Sequence, residues 1–124
     1  MELTFEKARE LLANYLQDPN NRLHSRESEV VLRGVAARLG EDEELWGMAG
    51  LLHDLDWEET QEDFARHGVR TAEILAEEGF KLADEAGQKM LHAIAAHNGE
   101  HTGVVRESKL DFALAAGESV TGLI

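Results

Sequence analysis

Residues 45–52, Leu-Trp-Gly-Met-Ala-Gly-Leu-Leu, carry no charged side chain and run straight into His53-Asp54. A helix that is apolar or small on nearly every side has no face to offer water, so the rest of the chain must wrap it. The wrapping is expected to be helical as well. There is one proline in 124 residues, and apolar side chains recur at three- and four-residue spacing along the sequence. The expected fold class is all-α, a compact orthogonal bundle of about six helices with short links. A chain of this length makes one domain, residues 1–124, around one core.

Local chemistry marks the boundaries. The first helix starts after Thr4, a good N-cap, and sets Phe5, Ala8, Leu12 and Tyr15 on one face. Asp18-Pro19-Asn20-Asn21 breaks it. The second runs from about Arg22 to Leu39 and stops at Gly40; the third starts near Asp42. The fourth is predicted over about Gln61 to Glu78, ending at Gly79. The fifth spans about Asp84 to His97 and stops at Asn98-Gly99. The sixth begins near Glu107 or Ser108 and reaches the last residue. It ends on apolar Val120, Leu123 and Ile124 with no polar tail, which suggests a truncated chain or a homo-oligomer contact through this helix.

Charge narrows the function. A formal net charge of −13 repels nucleic acid polymers and disfavours small anions at long range. A phosphate ester would need a local cation to bind, and a divalent metal is the obvious one. There are no cysteines, which removes disulfides and thiolate zinc sites and agrees with a cytoplasmic location. Residues 1–12, MELTFEKARELL, do not read as a signal peptide, and no stretch approaches the roughly 18 apolar residues of a membrane span.

His53-Asp54 carries the chemistry. Burying a carboxylate costs several kcal/mol unless a cation or several donors meet it. No lysine or arginine lies within the preceding helix to help. A metal held by imidazole and carboxylate together would supply the charge; a core histidine with one satisfied hydrogen bond is the competing reading. His24 is expected to share an inward face with Val31, Val35 and Leu39, His67 with Ile74, and His97 with Met90 and Ile94. Inward imidazoles need partners for both ring nitrogens, so three more of them are hard to explain as packing. His92 and His101 read as surface residues. Asp111 and Glu118 lie on one side of the last helix but roughly 10 Å apart along its axis, so both cannot bind one ion.

The order His24, His53-Asp54 and a late acid resembles the HD superfamily of metal-dependent phosphohydrolases, whose signature is H…HD…D. LHS around His24, GLLHDLDWE at 50–58, AIAAHN at 93–98 and LDFALAAGESVTGLI at 110–124 are similar to segments of a subgroup of small predicted HD hydrolases. The resemblance implies that His24, His53 and Asp54 are metal ligands. It also implies that Glu118, standing where the family carries an aspartate, is the fourth. His67 and His97 match the order of two extra histidines that hold a second metal in some members.

The function implied is hydrolysis of a small phosphorylated substrate by a metal-activated water. One or two ions from Mn²⁺, Fe²⁺, Ni²⁺, Co²⁺, Zn²⁺ and Mg²⁺ suit a nitrogen and oxygen ligand set. Asp54 serves the reaction as ligand, and Asp56 or Glu58 could accept or donate a proton. Arg22, Arg66 and Arg70 could meet phosphate, although surface ion pairing is the commoner fate of such residues. Two other classes fit the residues: an HD-fold metal- or nucleotide-binding regulatory module without turnover, and a metal-free helical interaction domain.

Overall fold

Short polar side chains set where the helices begin. In the computed structural model, the backbone is described for residues 1–121 and the side chains for residues 1–117. Helix α1 (Phe5–Tyr15) is capped by the Thr4 hydroxyl, which accepts the Lys7 N–H. Helix α2 (Pro19–Leu39) is capped by Asp18, with Pro19 in its first turn where no N–H is needed. Asp42 accepts the N–H groups of Glu44 and Leu45 to open α3 (Glu43–Leu52). A 3-10 turn (Phe64–Arg66) precedes α4 (Val69–Glu77), and Asp84 caps α5 (Glu85–His97). The short α6 (Gly99–Thr102) and then α7 (Lys109–Thr121) complete the fold. All of the regular structure among the described residues is helical.

Helix α3 sits at the centre, as its composition requires. Trp46 to His53 are buried without interruption. Helix α2 lies along one side of it, α5 and α7 close other sides, and α1 adds Ala8, Leu11 and Leu12, with Leu16 just beyond its end, to the same core.

Three expectations need correcting. The most buried residues of α2 are Ser25, Ser28, Glu29, Leu32 and Ala36; Val31 and Val35 pack against the core only in part, Leu39 is exposed, and His24 stands at the edge of the buried face. The helix expected over 61–78 is divided, because Gly68 adopts φ +98, a left-handed conformation that ends one segment before the next starts. Helix α6 has no counterpart in the six-helix expectation, so the described residues hold seven α-helices. The apolar end at Leu123 and Ile124 lies outside the described residues, and of Val120 only the backbone is described.

Two close approaches explain the first two corrections. A Cβ placed on Gly50 would lie 2.6 Å from the Ser28 carbonyl oxygen, so α2 and α3 touch backbone to backbone there. Only small side chains on α2 permit that contact, which is why Ser25 and Ser28 are fully buried there while Val31 and Val35 reach the core only in part. A Cβ on Gly68 would lie 2.7 Å from the Ile94 carbonyl oxygen, so the start of α4 is pressed equally hard against α5.

Asp111 is used to start α7. Its Oδ2 accepts the N–H groups of Glu107 and Ser108 and pairs with His92 Nδ1 at 2.9 Å. His92 is therefore half-buried and partnered, contrary to its reading as a surface residue.

Gly50 and Gly34 make a paired test. Gly34 lies in the exposed middle of α2, and a Cβ added there would have nothing within 4 Å of it. Gly34→Ala should therefore stabilise the fold by about 0.5–1 kcal/mol through helix propensity. Gly50→Ala gains the same propensity but meets a backbone carbonyl, and should be net destabilising by about 1–3 kcal/mol. Chemical denaturation of both variants checks the difference in sign.

Candidate metal centre

The two glycine contacts bring four histidines to one carboxylate. His24 comes from α2, and His53 and Asp54 follow directly on α3. His67 follows the 3-10 turn, and His97 is the last residue of α5. His24 Nε2 and His53 Nε2 are 3.2 Å apart, and each is 3.4 Å from Asp54 Oδ2. On the other side, His67 Nε2 and His97 Nε2 lie 3.1 and 3.7 Å from Asp54 Oδ1. Asp54 thus stands between two groups, His24–His53–Asp54 and Asp54–His67–His97, whose candidate ligand atoms all lie within 4.8 Å of one another inside each group.

The far nitrogens of three rings are fixed. His53 Nδ1 donates to the Gly50 carbonyl at 2.7 Å, and His97 Nδ1 donates to the Ile94 carbonyl. A carbonyl can only accept, so in both rings the Nδ1 carries hydrogen. His67 Nδ1 donates to Asp56 Oδ1 at 2.7 Å. In the neutral rings each Nε2 then presents a lone pair toward Asp54, which also has only lone pairs to offer. Acceptor facing acceptor is unfavourable unless a cation lies between them. A divalent ion fits that requirement, with nitrogen and oxygen donors and ring orientations held from behind.

A proton is the other cation that can serve. Burial pushes the Asp54 carboxyl up, but the charge and hydrogen bond of His53, together with hydrogen bonds from His67 and His97, hold it well below the usual range. Burial pushes the His67 imidazole down, and its hydrogen bonds and charge pairing with Asp54 and Asp56 outweigh that and raise it to about 9.

The oxygens of Asp56 and Glu58, expected as proton acceptors or donors, are taken up by donors of the protein itself. Asp56 is fully buried behind His67; its second oxygen accepts the N–H groups of Gly68 and Thr71 at 2.7 and 2.9 Å. It therefore anchors His67 and the first turn of α4. Glu58 accepts from the Gln17 and Asp18 N–H groups and from the Asn21 side-chain amide, tying the α1–α2 turn to the loop after Asp54. Asp111 lies at the start of α7 with His92, outside both candidate groups. The side chain of Glu118 lies outside the described residues.

The three arginines near the ligands in sequence are engaged elsewhere. Arg22 donates to the carbonyls of Leu16 and Gln17, Arg66 pairs with Glu73, and Arg70 pairs with Glu59, Glu73 and Glu77. One supporting residue was not anticipated. Asn98 Nδ2 donates to the carbonyls of Phe64 and His67, which locks the turn carrying His67 to the end of α5 carrying His97. Nothing in its sequence context announces that role, whereas Asp56, an acid two residues past the dyad in an apolar setting, carries the same burial argument as Asp54.

No helix among the described residues is long and apolar enough to cross a membrane. No curated protein and no solved structure matches the chain. The family model of the HD domain matches residues 23–118, a span that takes in His24, the His53-Asp54 pair, His67 and His97. The chain belongs to the HD domain family.

Proposed function

We propose that the chain is a cytoplasmic metal-dependent phosphohydrolase acting on a small phosphate ester. The observation that carries this reading is the Asp54 carboxylate, with one oxygen turned to His24 and His53 and the other to His67 and His97. His24, His53 and Asp54 Oδ2 would hold one divalent ion; Asp54 Oδ1, His67 and His97 would hold a second. Such ions supply Lewis acidity, drawing charge from phosphoryl oxygens and easing the deprotonation of water.

The chain's own side chains do the rest by position. Asp54 keeps the two groups of ligands in register through its two oxygens. Asp56, the Gly50 carbonyl and the Ile94 carbonyl hold three imidazoles in the orientation that presents Nε2. A chain of net charge −13 attracts an anionic ester only where that local positive charge lies, which disfavours polymeric nucleic acid as a substrate. Mn²⁺, Fe²⁺, Ni²⁺, Co²⁺, Zn²⁺ and Mg²⁺ are all compatible with the donors.

A panel of phosphate esters assayed with Mn²⁺ or Ni²⁺ tests the proposal. Wild type should turn over at least one member, and Asp54→Ala should lose activity by about a hundredfold or more together with its bound metal. Equal residual activity in the two proteins would remove the catalytic assignment and leave a binding module.

Two substitutions separate the site from the scaffold. Asp56→Asn turns an amide NH2 toward either His67 or the Gly68 and Thr71 N–H groups, and should weaken metal binding by about 10- to 100-fold while also lowering stability. Asp111→Ala should leave metal content at the wild-type value while lowering stability by about 1–2 kcal/mol, the cost of losing a helix-start acceptor. Metal titration and thermal unfolding of both variants read the two effects independently.

The raised His67 value gives a pH signature. In metal-free protein the His67 charge contributes stability that is complete below about pH 6.5 and is lost as the pH rises through about 9. Metal binding must displace that proton. Calorimetry in buffers of different ionisation enthalpy should therefore show proton release on metal binding at pH 7, vanishing above about pH 9.

A further inference from the structure

An aromatic column leads from the metal centre to the surface. The Trp57 ring meets His67 edge-on at 5.1 Å between centroids, and Phe64 stacks on Trp57 at 5.7 Å with only 7° between the planes. Beyond Phe64 stands His101 of α6, 5.8 Å away and tilted by 55°. Phe64 is 43% exposed and His101 is exposed too. A lone exposed phenylalanine needs no explanation. This one is different, because it belongs to a continuous chain of ring contacts that ends on a candidate ligand. Its backbone is also locked in place by the Asn98 side chain, the same group that holds His67.

Charge shows why such a surface would be needed. Arg22, Arg66 and Arg70 are committed to backbone carbonyls or glutamates, and Arg106, beside His97, donates to the His97 carbonyl and to Glu100. A phosphate ester arriving at this site finds metal charge for its phosphoryl group and no uncommitted arginine among these four for the remainder. Stacking is what the surface offers instead. A turn of the exposed His101 side chain would open the outer face of Phe64 to a flat ring.

We propose that Phe64, backed by Trp57 and flanked by His101, is the specificity surface of this site and takes a flat aromatic group carried by the phosphate ester. The proposal rests on the phosphohydrolase reading above and names its substrate class: esters of alcohols that bear an aryl ring or a nucleobase. Phe64 and His101 position the substrate; they take no part in the bond-breaking step.

The test uses non-hydrolysable phosphonate probes on the metal-loaded full chain. Titration calorimetry compares phenylphosphonate with methylphosphonate, and the methylene phosphonate analogue of AMP with that of ribose 5-phosphate. Wild type, Phe64→Ala, Phe64→Leu and Phe64→Tyr are titrated in parallel. Each aromatic probe should bind wild type about tenfold more tightly than its aliphatic counterpart. That preference should vanish in Phe64→Ala and Phe64→Leu and return in Phe64→Tyr, with bound metal per chain the same in all. Preference for phenylphosphonate alone assigns an aryl group, and preference for the AMP analogue alone a nucleobase. Equal affinity for aromatic and aliphatic probes in wild type overturns the proposal while leaving the phosphoryl site standing. Failure of all four probes to bind overturns the phosphohydrolase reading and this proposal with it.

Discussion

One carboxylate organises the molecule. Asp54 sits at the end of the central apolar helix with its side chain nearly enclosed, and four imidazole Nε2 atoms lie between 3.1 and 3.7 Å from its oxygens. A buried negative charge of this kind is strongly destabilising when left unmatched. The fold meets that cost by bringing histidines from α2, the end of α3, the turn before α4, and the end of α5 to the same point. Positive charge, as metal or as protons, is what makes the centre tolerable.

The precision of the centre comes from backbone and not from side-chain packing. Gly50 lets α2 approach α3 until their main chains touch, and its carbonyl oxygen then accepts the His53 hydrogen bond. Gly68 does the same between α4 and α5, where the Ile94 carbonyl it presses against accepts from His97. Each close approach therefore both sets the distance between two ligands and supplies or neighbours the acceptor that orients one of them. Asp56 and Asn98 complete this outer layer around His67. Ligands held this way lose little freedom when they meet an ion, which favours binding.

Some of this is plain in the sequence. The uncharged run at 45–52 marks the central helix, and Thr4, Asp42 and Asp84 announce the helix starts they cap, whereas Asp18-Pro19, which reads as a break, caps and opens α2 three residues before the expected start at Arg22. His24, His53, His67 and His97 stand out in the sequence as imidazoles expected on inward faces, and the fold brings all four to Asp54. What stays hidden depends on contacts between distant segments. On α2, Val31 and Val35 look more buried than Ser28 until the backbone contact between Gly50 and Ser28 is seen to require a small residue there. The break before α4 follows from the left-handed Gly68, which looks in sequence like an ordinary helical glycine. The structural ties of Asp56 and Glu58 are equally hidden, because the donors that claim them, at 67, 68 and 71 and at 17, 18 and 21, are brought near only by folding.

Anomalous diffraction from a crystal soaked in Mn²⁺ or Zn²⁺ addresses the central claim most directly. Density is predicted between the carboxylate of Asp54 and the Nε2 atoms of His24 and His53, of His67 and His97, or of both pairs, at about 2.0–2.2 Å from the ligands. Anomalous density confined to the acidic surface, with the four imidazoles and Asp54 left without an ion, would contradict it.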